Sequence, residues 1–182
     1  MKKESKKQKV PEFQKNVLTA YEKIKDSEKD HKEILDQIQI EHVNEVKMDE
    51  DKKCCLVQVS TNNSTGYKKI HPFLTKKLEE SLSIPVILIP SKKRVNGKEY
   101  RTFVSKKVPR DRTLTAVFDG YLDDILFPAT VVGKRIRYPT GKTTRVYKVL
   151  VDPLDKESIE YKLPAMVACY RALTNRKLEI EF

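Results

Sequence analysis

A dense group of cationic side chains lies in the middle of this chain, between residues 92 and 112. Nine lysines and arginines stand there against two carboxylates, Glu99 and Asp111, so the segment has a net charge of +7. The cations are Lys92, Lys93, Arg94, Lys98, Arg101, Lys106, Lys107, Arg110 and Arg112. Because ammonium and guanidinium groups bind phosphate oxygens, this segment is typical of a contact with a polyanion.

The rest of the charge is unevenly distributed too. The formal net charge is +11 over 182 residues, and residues 1–9, with five lysines and one glutamate, carry +4 of it. Residues 1–9 and residues 92–112 therefore account for the whole excess of positive charge, and the remaining body of the chain is neutral. Charge confined in this way indicates a nucleic-acid contact. The alternative is a solvated lysine-rich surface. A membrane is disfavoured because no cluster of Trp, Phe and Leu accompanies the cations.

A second cationic group follows the first. Residues 130–137 and 143–151 read as strands, and the turn residues between them predict a hairpin. Its cations, with no acid before Asp152, are Lys134, Arg135, Arg137, Lys142, Arg145 and Lys148. Both cationic groups are therefore candidates for phosphate contacts.

Four aromatic residues lie among these cations: Tyr100, Phe103, Tyr138 and Tyr147. Aromatic rings stack on unpaired bases while cations bind phosphates, which favours single-stranded parts of an RNA. The alternative for Tyr138 and Tyr147 is that they are ordinary strand or core residues. The sequence has no signature of a base-reading module, so a folded RNA of defined shape is a better partner than a DNA operator.

Side chains that could catalyse a reaction are few. His31 and His71 lie among lysines of predicted helices and His42 lies on a predicted strand, so each is interpreted as a surface or hydrogen-bonded histidine. Cys54 and Cys55 are adjacent in a strand and point to opposite faces, unlike the spaced pairs of zinc sites. We predict no catalytic residue, no metal and no cofactor, and hence no enzyme.

Two other patterns resemble ligand sites only in part. Residues 141–143 match the end of a phosphate-binding P-loop, but Ile136 stands where that motif requires its first glycine. Asp119, Asp123 and Asp124 lie on the polar side of a predicted helix, where carboxylates are ordinarily solvated or paired with cations rather than bound to a metal.

The sequence also limits where the chain works. No apolar run approaches the ~18 residues of a transmembrane helix, and the lysine-rich N-terminus has no apolar signal-peptide core. The three cysteines, Cys54, Cys55 and Cys169, are odd in number and lie in apolar contexts, which is typical of a reducing compartment. We expect a soluble, unsecreted chain without disulfides.

Hydrophobic periodicity predicts the elements that position the cations. The helix after the basic loop has one apolar stripe and ends at Pro128. The stripe consists of Leu114, Val117, Phe118, Tyr121, Leu122 and Ile125. An earlier helix, starting at about Tyr67 with Pro72 near its beginning, is expected to leave His71 outside its apolar stripe. Residues 38–44 alternate as a strand, with His42 on the face of Ile38.

The elements follow in the order α-α-β-β-α-β-loop-α-β-β-α-β. The sequence has no internal repeat and no regular β-α-β succession. We therefore predict an α+β fold with a mixed, largely antiparallel sheet and helices packed on it. Residues 1–10 are predicted to be a basic flexible arm and residues 11–182 a single RNA-binding domain that contains the basic central loop.

One long segment resembles a known family. Residues 110–137 read RDRTLTAVFDGYLDDILFPATVVGKRIR. This closely resembles the signature RTLTAVHDAILEDLVFP followed by IVGKRIR of the eukaryote-specific ribosomal protein family numbered seven in the small subunit. The similarity extends back to Lys69 and forward to the LEIEF end. Phe118 stands where the family usually has His, and the basic loop and termini look shorter.

The resemblance implies a function. It implies a structural protein of the small ribosomal subunit, without enzymatic activity, that binds small-subunit rRNA and lies beside other small-subunit proteins. The RNA contacts that it implies are the nine cations of residues 92–112 and, on the hairpin, Lys134, Arg135 and Arg137. It also implies a cytoplasmic, ribosomal location with a nucleolar stage during subunit assembly. The residues alone leave another possibility open, namely a non-ribosomal adaptor whose basic loop docks an acidic protein.

Overall fold

The computed structural model of the chain describes residues 12–27, 31–48, 52–61, 64–90, 113–140 and 145–182. The helices in these ranges are α1 (Glu12–Ser27), α2 (Lys32–Asp36), α3 (Ser64–Leu82), α4 (Leu114–Leu126), α5 (Lys156–Ile159) and α6 (Leu163–Thr174). The strands are β1 (Ile38–Lys47), β2 (Lys53–Thr61), β3 (Val86–Pro90), β4 (Val131–Arg137), β5 (Val146–Val151) and β6 (Lys177–Glu181). Single 3-10 turns flank α5 on both sides.

The six strands form two three-stranded sheets of the same topology. In the first sheet β1 pairs antiparallel with β2, and β3 pairs parallel with β2. The second sheet repeats this arrangement with β4, β5 and β6. A crossover helix, α3 or α6, makes each parallel pairing possible. The predicted α+β class with mixed sheets is confirmed. The strands are divided between two sheets, and a β-β-α-β unit occurs twice although the sequence shows no repeat.

Helices and sheets are stacked in alternating layers. Helices α1, α2 and α3 pack on one face of the first sheet. Helices α4 and α6 pack on its other face, and they also meet the inner face of the second sheet. Helix α4 is therefore enclosed between two sheets. This position explains why the segment after the basic loop is so apolar.

Strand β1 departs from the predicted alternation. The register of its pairing with β2 shifts between Ile40 and His42, as in a β-bulge. The extra residue reverses which side chains point inward, so Val43 is buried and His42 is exposed. The predicted alternation, which places His42 on the face of Ile38, is wrong for this reason, whereas the interpretation of His42 as a surface histidine agrees with its exposure.

Helix α3 is longer than predicted and buries a residue expected outside. It begins at Ser64, so Pro72 lies inside it rather than in its first turn. His71 is only 5% exposed and belongs to the same stripe as Tyr67, Ile70 and Leu74. The prediction that His71 lies outside the stripe is wrong, because its position satisfies the helical period and only its residue type suggested exposure.

Helix α4 matches the predicted span and most of the predicted stripe. Val117, Leu122 and Ile125 are buried, and the helix ends just before Phe127 and Pro128. Leu114, at its first position, is 48% exposed. Its assignment to the buried stripe is wrong, because the first turn of the helix extends beyond the layer that encloses the rest.

The predicted basic arm, residues 1–10, lies outside the described residues. In the described part of the chain, no helix combines the length and the apolar composition needed to cross a lipid bilayer.

Candidate nucleic-acid interface

The predicted basic loop connects β3 to α4, and the structure describes both of its attachment points. Strand β3 ends at Pro90 and buries side chains on both faces. At the other end, the backbone N–H of Val117 donates to the carbonyl of Thr113 at 2.9 Å. The nine predicted RNA-binding residues of the loop lie outside the described residues, so their role stays a prediction.

The other three predicted RNA-binding residues are exposed on β4. This edge strand pairs antiparallel with β5, which confirms the predicted hairpin. Arg135 is opposite Lys148 on the outer face of the sheet, and Arg137 lies on that same face. Lys134 lies on the inner face and pairs with the Asp119 carboxylate of α4. Because Lys134 already has an anionic partner, Arg135 and Arg137 are the stronger candidates for phosphate contacts.

Charge on the outer face changes sign from β4 to β6. Lys148 on β5 is opposite Glu179 on β6, and the two side chains meet at 3.3 Å. Lys148 also pairs with Glu181. The hydrogen bonds with Glu181 and then Glu179 raise the Lys148 pKa, and the bond with Lys148 lowers the Glu181 pKa. A polyanion is therefore attracted to the β4 side of the sheet and repelled by the β6 carboxylates.

The open end of the hairpin carries an exposed aromatic ring. Tyr138, directly after β4, is 67% exposed. The guanidinium of Arg145, directly before β5, lies 5.4 Å from the centre of the Tyr138 ring. This is within the range of a cation–π contact.

Tyr147 has a different environment. It is buried on β5, and the Arg176 guanidinium lies 4.7 Å from its ring and 4.5 Å from the Phe118 ring. The reading of Tyr147 as a core residue is confirmed. Phe118 is the position where the sequence differs from the family signature, and here its ring packs against a cation. The other two aromatic candidates, Tyr100 and Phe103, lie outside the described residues.

The pKa of His71 is strongly shifted from its ordinary value. Burial is the main cause that lowers its pKa to about 4; a hydrogen bond with the Leu88 backbone opposes this shift, and the nearby charge of Lys162 adds a smaller lowering. Its ring meets the Phe127 ring edge-on at 4.8 Å, and its Nδ1 has no hydrogen-bond partner within the described residues. A base of such low pKa is poorly matched to proton transfer near neutral pH.

This burial predicts a pH dependence of stability. Between pH 6.5 and 4 the unfolded chain binds a proton at His71 that the folded chain does not, so the free energy of unfolding falls as the pH falls through this range. The difference is at most about 3 kcal/mol. Urea unfolding of the wild type and His71→Met at pH 7 and pH 4.5 measures it.

We expect the wild type to lose more stability than His71→Met between these pH values, while a His42→Met control behaves as the wild type because His42 is exposed. An equal loss in all three proteins would contradict the assignment.

The cysteines occupy structural positions. Cys54 and Cys55 face opposite cores, as predicted, and Cys54 Sγ lies 3.6 Å from Cys169 Sγ of α6. Burial raises the pKa of the Cys55 thiol to about 12. A thiol of such high pKa is almost wholly protonated at neutral pH, so it is a poor nucleophile. In the ranges that the structure covers, no three His, Cys, Asp or Glu side chains are placed to hold a metal ion.

Comparison with known proteins places these features in a family. The sequence profile described as ribosomal protein S7e matches residues 1–182. The chain belongs to this ribosomal protein family.

Several S7e relatives are similar over nearly their whole length. Small ribosomal subunit protein eS7A of Saccharomyces cerevisiae is 33% identical over 171 residues, which cover 93% of this chain and 90% of the relative. The eS7 protein of Caenorhabditis elegans is 34% identical, with 95% and 90% covered. The eS7z protein of Arabidopsis thaliana is 30% identical, with the same shares covered. The resemblance noted in residues 110–137 is confirmed.

Proposed function

We propose that this chain is a structural protein of the small ribosomal subunit and binds small-subunit rRNA through residues 92–112 and the outer face of β4. Its relatives are named as small ribosomal subunit proteins, and they match almost the whole chain. The observation that carries the RNA contact is the location of the charge, because the loop has a net +7 beside a neutral body.

The geometry supports a particular direction of approach. Arg135 and Arg137 are exposed on β4, while Glu179 and Glu181 occupy the other edge of the same sheet face. An RNA backbone bound at the β4 edge avoids these carboxylates. Other small-subunit proteins are the expected neighbours, and we further propose that the chain joins the subunit in the nucleolus and works on cytoplasmic ribosomes.

The deciding experiment compares matched charge changes. Lys106→Ala, Lys107→Ala and Arg110→Ala are combined in one variant, and Lys15→Ala, Lys23→Ala and Lys32→Ala in a control. The control removes three exposed cations from the neutral body. We expect the loop variant alone to sediment poorly with small subunits at moderate salt. Its log–log salt slope for rRNA binding should fall by about 2–3, since three phosphate contacts are lost.

Two results would contradict the proposal. The first is a wild-type chain that stays in the free fraction when small subunits are pelleted. The second is displacement of the chain from rRNA by polyglutamate at low concentration, with the loop variant impaired only for polyglutamate. That second pattern would identify the chain as an adaptor for an acidic protein.

A further inference from the structure

Tyr138 and Arg145 form an exposed aromatic–guanidinium pair where the two strands of the hairpin separate. The guanidinium occupies one side of the ring at 5.4 Å, and Tyr138 remains 67% exposed. The pair is therefore accessible from solvent. A planar group can stack on such a ring, and a guanidinium strengthens the contact through its charge.

The residues around this pair are cationic. The row of paired strand residues nearest to Tyr138 and Arg145 consists of Arg137 on β4, Val146 on β5 and Lys177 on β6. No acid occurs in this row. The carboxylates of Glu179 and Glu181 lie two and four rows further along the sheet, and both pair with Lys148. A ligand that binds beside Tyr138 and Arg145 therefore contacts an aromatic ring and positive charge together.

We propose that Tyr138 and Arg145 bind one unpaired base of an RNA by stacking, while Arg137 contacts a flanking phosphate. This inference rests on the proposed RNA-binding function and narrows its ligand to a loop, bulge or single-stranded end. Bases paired within a helix do not expose their faces, whereas unpaired bases stack readily on aromatic side chains. Of the four aromatics among the cations, Tyr138 is the one that the described structure shows exposed, since Tyr147 is buried.

Tyr161 provides a matched control within the same chain. It is 64% exposed, and the Lys162 ammonium lies 5.1 Å from its ring centre. Its surroundings are acidic rather than basic, because its hydroxyl contacts Glu79 at 3.3 Å and Glu160 precedes it. If exposure and a nearby cation were sufficient for binding, Tyr161 would behave like Tyr138.

The experiment uses the full chain, two RNA probes and polyglutamate as an acidic-polypeptide probe. One probe is a hairpin RNA with the fluorescent base 2-aminopurine in its loop, and the other is a fully paired duplex with 2-aminopurine in its stem. Affinity, quenching of the 2-aminopurine fluorescence and the salt slope are measured for the wild type, Tyr138→Leu, Tyr138→Phe and Tyr161→Leu. Melting temperatures confirm that each variant is folded.

We expect the wild type to quench the loop base and to prefer the hairpin probe. Tyr138→Leu should lose the quenching and about 5- to 150-fold in affinity for the hairpin RNA, with an unchanged salt slope because no phosphate contact is removed. Tyr138→Phe keeps the ring and should retain both properties. Tyr161→Leu should behave as the wild type.

Three outcomes would overturn the inference, and each has a distinct meaning. A wild type that binds neither RNA refutes the proposed function together with the stacking site. If the wild type binds RNA and Tyr138→Leu binds and quenches both RNA probes as the wild type does, the stacking site alone is refuted. If Tyr138→Leu weakens binding to polyglutamate but not to the hairpin RNA, the Tyr138–Arg145 pair binds an acidic protein instead.

Discussion

Replacing Lys162 with alanine is expected to lower the free energy of unfolding by about 3–5 kcal/mol. Lys162 is buried just before α6, and its Nζ lies 2.7 Å from Glu79 Oε1 of α3. The same carboxylate accepts the backbone N–H of Val86 at 3.0 Å and the hydroxyl of Tyr161 at 3.3 Å. The pair joins the first β-β-α-β unit to the second, and removing the cation leaves a largely buried carboxylate without its counter-charge.

A double variant distinguishes loss of the charge pair from loss of packing. Glu79→Gln with Lys162→Met removes both charges, keeps an acceptor for Val86 and keeps most of the lysine's volume. Replacing a whole buried pair in this way is often nearly neutral, so most of the lost stability should return. Lys156→Ala is the control, since Lys156 carries the same charge on α5 but is exposed.

Urea unfolding of these four proteins measures the effect. Loss of less than about 0.5 kcal/mol in Lys162→Ala, the level typical of surface changes, would show that the ion pair does not hold the two units together.

The sequence predicted most helices and strands because their patterns are local. Amphipathic periods identify α1 and α4, and the turn between residues 137 and 146 identifies the second hairpin. At His71, where the helical period and the residue type disagreed, the period was the better guide. His71 occupies a core position of α3 although histidine among lysines suggested a surface.

Features that depend on distant partners were not predictable. Nothing in the alternation of residues 38–44 reveals the bulge near His42, which is a property of the pairing between two strands. The division into two sheets, and the ion pair between Glu79 and Lys162, depend on which elements meet in space. The same holds for Lys134, whose neutralisation by Asp119 could not be read from the cationic run.

Truncating Ile125 to alanine is expected to lower the free energy of unfolding by about 2–5 kcal/mol. Ile125 is 1% exposed on α4, within the core formed by residues of both sheets. Because neighbours on both sides of α4 belong to sheets, they cannot easily collapse into the space that the side chain leaves. The free-energy cost of the cavity therefore adds to the hydrophobic free energy that is lost with the removed side-chain atoms.

Leu114→Ala is the matched control in the same helix. Leu114 is 48% exposed, so its truncation should change stability by less than about 0.5 kcal/mol. Thermal and urea unfolding of both variants compare the two ends of the helix that follows the basic loop. Equal losses would mean that α4 is not enclosed between the sheets at Ile125. A loss confined to Ile125→Ala would establish that the C-terminal half of α4 anchors the loop's attachment to the core.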